Sequence, residues 1–319
     1  MESQVIAEQI IIAGVMVFAG AVGSWVKVIN EQVKFSISQL VFNITLPLLI
    51  LTTFSGMDMS REVLVNGFWV VIFSLLSFVI MHFSGRFTAS LFRLPERSAV
   101  VHELHTMFGN IVFLGFPLIA ALYPQEESLL YASVYYMVSS FMQWTYAVYR
   151  LKGQKDVPFR HRFRHLLNPN TIAFLIGIFL FFLQFRFPAV VHEPLKNIGG
   201  ATSPLALLYI GASLTGTNIK GIVKRFDLYA LSLNKLVIIP LILLLIINLS
   251  IRYFGVELGS MARTIIVLET AMPCMSMIVI MARNYGAADD RASENVFLTT
   301  LLSLLTLPLV YFLATGGVF

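Results

Sequence analysis

The sequence predicts an all-α integral membrane protein of ten transmembrane helices, arranged as two inverted five-helix repeats. Three observations lead there. Of 319 residues, 57% are hydrophobic and only 12% charged, about half the charged fraction of a soluble domain. The apolar residues gather into segments of about 20, the length that spans a bilayer as a helix. The basic residues alternate between loops: 16 of the 22 Lys and Arg fall on one predicted side, five on the other, and Lys235 lies inside a span. That bias puts the richer side in the cytoplasm.

In chain order, the predicted spans cover residues 5–26, 35–56, 63–84, 99–122, 128–149, 169–187, 196–216, 227–250, 260–283 and 292–314. Residues 1–9 hold Glu2 and Glu8 and lack the basic start of a signal peptide. The basic gap 150–168 separates a first repeat, 1–149, from a second, 169–319. Five spans per half send the halves into the membrane from opposite sides, so a repeat between them is inverted. Both termini are then expected outside the cytoplasm. No gap is long enough for a soluble domain, and the net charge of +5 orients the chain in the bilayer rather than binding nucleic acid.

Spans two and seven each place a threonine two residues before a proline, Thr45-Leu46-Pro47 and Thr202-Ser203-Pro204. Such a threonine is expected to bond a carbonyl freed by the proline, with ligand contact the second possibility. Span four is interrupted by Gly109, Asn110, Gly115 and Pro117, and span nine by Met272 and Pro273. Gly and Pro weaken helices, and a freed backbone group in hydrocarbon is tolerated only where protein, water or ligand satisfies it. The two interruptions hold matching places: thirteen positions separate Asn110 from Tyr123, and thirteen separate Met272 from Tyr285. Paired interruptions in two halves are the best sequence pointer to a carrier's binding site. In span five, Ser139, Ser140 and Gln143 share roughly one helical face. They line a cavity or make polar contacts between helices.

The half-helices beginning after Gly115 and after Met272 are expected to point their positive ends at the break. Two such ends make an anion site with no basic side chain nearby in sequence. Asn110 adds amide donors, and Ser276 stands in the first turn of the second half-helix. Glu269 is an intramembrane carboxylate and so a candidate for proton or cation coupling. His105 is the second candidate, while the plainer expectation for His102 and Glu103 is the membrane boundary. No catalytic constellation, metal-ligand pair or phosphate loop is present, so neither an enzyme nor a metal site is expected. The single cysteine, Cys274, excludes an internal disulfide.

The stretch from Gly109-Asn110 through Gly115-Phe116-Pro117 to Tyr123 resembles the fourth span of the auxin efflux carrier family. Ala271-Met272-Pro273 with Ala282-Arg283-Asn284-Tyr285-Gly286 is similar to its ninth, and Phe42-Asn43-Ile44-Thr45-Leu46-Pro47 to its second. The resemblance implies a fold like that of the bile acid sodium symporters, with spans four and nine crossing at their breaks. It implies a scaffold of spans one, two, six and seven, often a homodimer interface. Spans three to five and eight to ten would then form a moving transport domain of elevator type. It further implies a cell-membrane carrier of small organic anions, auxin in plants and malate or malonate in bacteria. Asn110, Pro117 and Pro273 match the family's asparagine and paired prolines. Two departures stand out: Met275, Ser276 and Met277 occupy the region where many members carry an asparagine, and the long central loop of the plant carriers is absent. Besides the lipid bilayer, the expected partner is the anion; no cofactor is expected, and coupling to H+ or Na+ stays open. The alternatives are a sodium-coupled symporter and a non-transporting membrane receptor for the same ligand.

Overall fold

The computed structural model describes residues 2–152, 168–215, 222 and 224–316; most of the predicted basic linker, 153–167, lies outside the described residues. The described chain is helical: α1 (Glu2–Trp25), α2 (Glu31–Leu40), α3 (Leu46–Gly56), α4 (Arg61–Leu91), α5 (Glu96–Met107), α6 (Phe116–Leu122), α7 (Glu126–Met142), α8 (Val148–Lys152), α9 (Pro169–Phe182), α10 (Ala189–Gly200), α11 (Thr202–Leu214), α12 (Phe226–Leu233), α13 (Ile239–Phe254), α14 (Ser260–Thr270), α15 (Ser276–Tyr285) and α16 (Asp289–Ala314). Among the described residues the only extended pairing is a single antiparallel bridge, Gly109 with Cys274. Among the described residues four continuous helical stretches are long and apolar enough to cross a membrane: Glu31–Ser55, Arg61–Leu91, Phe226–Phe254 and Asp290–Ala314. The all-α, membrane-type architecture is thus as expected from composition.

Among the described residues four wide π-helical turns lead directly into α-helices: Val41–Thr45, Ile111–Gly115, Gln143–Ala147 and Asn234–Ile238. Three of them end two residues before a proline, namely Pro47, Pro117 and Pro240. Proline has no N–H, and its ring collides with the carbonyl four residues back. Widening the preceding turn by one residue relieves that collision while keeping most of the ladder. The amide of Leu46 accordingly reaches back five residues to Val41, and that of Ile239 to Asn234. The chain thereby absorbs prolines that would break an ordinary helix.

The chain forms two compact units. The first comprises Met1–Leu64, Val112–Ser133 and Leu167–Gly216; the second comprises Val65–Ile111, Val134–Leu166 and Thr217–Phe319. In the first unit α1 and α11 touch backbone to backbone: a Cβ on Gly211 would lie 1.8 Å from the carbonyl oxygen of Val17. Small residues permit this approach, which is how helices associate where lipid removes the hydrophobic drive. Phe54 packs edge-on against Phe174 and Phe181, and Phe113 stacks on Tyr209 at 4.6 Å. In the second unit Phe78 lies between Phe108 and Tyr135 in the core. At one place in this unit Arg225 pairs with Asp227 and Glu294, and Arg291 also reaches Asp227.

Candidate functional site

Inside the second unit two non-helical segments meet. Helix α5 stops at Met107, and the Phe108 amide closes its last turn on the Leu104 carbonyl at 2.8 Å. Phe108, Gly109 and Asn110 then run extended alongside Pro273, Cys274 and Met275. The Met275 amide donates to the Phe108 carbonyl at 3.1 Å, and the Asn110 amide to the Pro273 carbonyl at 2.7 Å. The Cys274 amide donates to Thr299 Oγ1 at 3.0 Å. Backbone groups that neither helix can satisfy are thus satisfied by each other, as a buried irregular segment requires. Gly109 makes the approach possible: a Cβ there would lie 2.8 Å from Met272 Cβ and 3.2 Å from the Met272 carbonyl oxygen.

The first interruption therefore falls at Phe108–Asn110, at the expected Gly109 and Asn110 but about two turns before Gly115 and Pro117. Those two residues lie in or just after a π-helical turn, and the helical stretch Ile111–Leu122 runs through them. The cross-pairing with Pro273–Met275, not the proline, decides where the helix stops. The second interruption includes Met272 and Pro273 as expected, and α15 resumes at Ser276, which is half-buried.

The buried surroundings of this meeting point are polar. Asn110 and Glu269 are buried, and neither carboxylate oxygen of Glu269 has a partner among the described residues. His105 Nδ1 lies 3.1 Å from the side-chain amide nitrogen of Asn295. Tyr135 places its hydroxyl 3.3 Å from Ser77 and 3.2 Å from Thr270, the last residue of α14. Gln143 donates to the Met281 sulfur on α15 at 3.7 Å. Ser139 and Ser140 are buried beside it in sequence, the Ser140 hydroxyl without a partner among the described residues.

Other expectations are revised. Thr45 and Thr202 belong to the first unit, where the Thr202 hydroxyl donates to Thr45 Oγ1 at 2.9 Å instead of bonding a carbonyl freed by proline. The break is not free of basic side chains: Lys235, from the distant α12–α13 stretch, donates from Nζ to the Thr106 carbonyl at 3.0 Å. His102 and Glu103 are buried, not at an exposed boundary. His102 Nε2 lies 2.9 Å from Thr88 Oγ1, and Glu103 is held by His82, Tyr146 and Arg150. Sequence inspection overlooked Asn295 and Thr299. Their signal was present, since Asn295, Thr299 and Ser303 repeat every four residues along α16 and are all buried. Among the described residues no group of three or more His, Cys, Asp or Glu is placed to hold a metal ion.

A family model described as a membrane transport protein matches residues 5–158 and 159–311. The chain belongs to the auxin efflux carrier family. Similar proteins carry names consistent with this. An uncharacterized transporter of Methanocaldococcus jannaschii is 22% identical over 313 residues, covering 94% of this chain and 96% of that protein. An uncharacterized transporter of Methanothermobacter thermautotrophicus is 24% identical over 304 residues, covering 92% and 94%. A "Putative malonate transporter" of Rhizobium meliloti is 25% identical over 155 residues, covering 48% and 46%. Membership in the auxin efflux carrier family makes this chain a multi-pass membrane transporter.

Proposed function

We propose that this auxin efflux carrier family member moves a small organic anion, a carboxylate of the malonate or malate type, across the cell membrane. The supporting observation is the hydrogen-bonded meeting of two helix interruptions within one compact unit. Helices restart there at Ile111 and Ser276, and the positive end of a helix suits a carboxylate. Asn110 contributes its amide. Gly109, Ser139, Ser140, Gln143 and Ser276 complete the binding side, and Glu269 and His105 are the candidates for proton coupling. The chain crosses the bilayer ten times as inverted repeats, with spans four and nine crossing and both termini outside. The first compact unit holds most of spans one, two, six and seven and supports their assignment as a dimerising scaffold; the second holds most of the rest and supports an elevator-type transport domain.

The test is counterflow of radiolabelled malonate in proteoliposomes containing the full chain. Saturable accumulation driven by unlabelled internal malonate, and competed by malate, is the expected result. Saturable malonate binding with no exchange makes the protein a receptor and overturns the transport assignment. A panel showing exchange only of cations or neutral solutes overturns the anion assignment.

A further inference from the structure

Lys235 is the second residue of the π-helical turn Asn234–Ile238. Its side chain is 1% exposed, and its Nζ donates to the Thr106 carbonyl at 3.0 Å. An ammonium has three N–H donors; this is the one bond it makes among the described residues, and no carboxylate there pairs with it. The turn that carries it is fastened to α4 by the Ser84 hydroxyl, which donates to Asn234 Oδ1 at 2.9 Å.

The acceptor is equally telling. Thr106 is the penultimate residue of α5, whose terminal carbonyls lose their amide partners when the chain leaves the helix at Phe108. The Leu104 carbonyl is satisfied by the Phe108 amide, and the Phe108 carbonyl by that of Met275. The Thr106 carbonyl is left to Lys235. It lies at the negative end of a half-helix dipole, beside the interruption. A neutral donor would satisfy one carbonyl without taking a full charge out of water. Burying an ammonium with no counter-charge is costly, and the carbonyl end of the half-helix, which would also attract a free cation, offsets part of that cost. In carriers built on broken helices, freed carbonyls and the C-terminal ends of half-helices are where the coupling cation binds.

We propose that Lys235 is a tethered cation, standing where a coupling sodium ion would sit, so that this carrier works without sodium. The inference rests on the transport assignment for its consequence, but the occupied cation position is a property of the fold and is measured separately. It also decides the choice left open by the sequence, against a sodium-coupled symporter. Because the ammonium never leaves the protein, the charge it supplies holds the interruption together throughout the cycle and contributes no driving force.

The test uses purified full-length protein, Lys235→Met and Lys235→Gln. Thermal unfolding is compared in about 150 mM sodium chloride and the same concentration of choline chloride. The wild type should unfold within about 1 °C in the two salts. Each variant should unfold earlier in choline and recover by about 3 °C or more in sodium, because the ion binds the vacated site and only the folded state has that site. A sodium-specific shift in the wild type, or variants that fold but ignore sodium, overturns the proposal. Should neither variant fold, the wild type decides: sodium-dependent unfolding or malonate exchange overturns the proposal, and indifference in both supports it. Malonate exchange that requires sodium overturns the role of Lys235 and leaves transport standing. Absence of exchange, with the variants still rescued by sodium, overturns transport and leaves the cation site standing.

Discussion

A methyl group at Gly109 would have to share space with Met272, and a branched side chain there cannot be housed without separating the two interruptions. Gly109→Val should therefore lower the unfolding temperature markedly, with a loss of about 1–3 kcal/mol from overpacking; Gly109→Ala should lose less. Circular dichroism melts of the two variants against wild type check the order. Asn110 offers a cleaner functional probe, because its contribution to the fold includes the main-chain bond to Pro273, which substitution leaves in place. Asn110→Ala should weaken malonate binding about ten-fold or more, since a hydrogen bond to a charged group is worth roughly 1.5–3 kcal/mol. Unchanged affinity by isothermal titration removes it from the site. Glu269→Gln keeps the shape of a buried carboxyl whose oxygens have no partner among the described residues. It should express and melt like wild type while flattening the pH dependence of malonate exchange; an unaltered profile makes Glu269 structural. Asn110 and Glu269 stood out in the sequence because a polar residue deep in an apolar run is conspicuous by itself. The bond of Lys235 was not legible there, since it reaches a carbonyl 129 positions away and no local pattern encodes that distance.

Elements are tied to one another at Glu103. Its carboxylate on α5 is 1% exposed and receives the Arg150 guanidinium from α8, at 2.6 Å from Nη2 and 3.2 Å from Nε. It also receives the Tyr146 hydroxyl from the π turn before α8 and meets His82 Nδ1 of α4 at 3.0 Å. Burial alone would lower the pKa of Arg150, but the bond and charge of Glu103 outweigh it and raise it. Glu103→Gln should cost about 2–3 kcal/mol, near the lower end for breaking a buried pair, because Arg150 is 28% exposed and regains some hydration. Loss of unfolding temperature should be shared by Arg150→Ala, and the double variant should lose little more; additive losses would mean the pair is not coupled. At this scale the sequence was a partial guide. Proline and glycine marked the right neighbourhoods, yet Gly115 and Pro117 ended up in or just beyond a π turn while the helix broke at Phe108–Asn110. Local propensity names residues that tolerate irregular backbone. Which of them actually leaves the helix is settled by a non-local partner, here Pro273–Met275.

For the whole molecule, the elevator assignment requires each compact unit to behave as a body. Its internal distances must then stay fixed while distances from one unit to the other take more than one value. The composition, span lengths and interrupted segments disclosed a membrane protein with paired breaks. The grouping of Val65–Ile111 with Val134–Leu166 and Thr217–Phe319 follows from tertiary packing that no single segment encodes. The single cysteine makes the motion measurable, because Cys274 is 0% exposed and leaves engineered surface cysteines as the reactive ones. Gln125 in the first unit and Arg97 and Asn284 in the second are exposed positions for dyes. Single-molecule energy transfer between Arg97→Cys and Asn284→Cys should give one value, unchanged by malonate. Transfer between Gln125→Cys and Asn284→Cys should exchange between at least two values whose populations shift with malonate, because a ligand moves an equilibrium only by its differential affinity for the states. Replacing sodium with choline should leave those populations as they are, since the cation at the break is covalently part of the chain. A single inter-unit value while malonate exchange proceeds would require a gate of local motions instead of a moving unit.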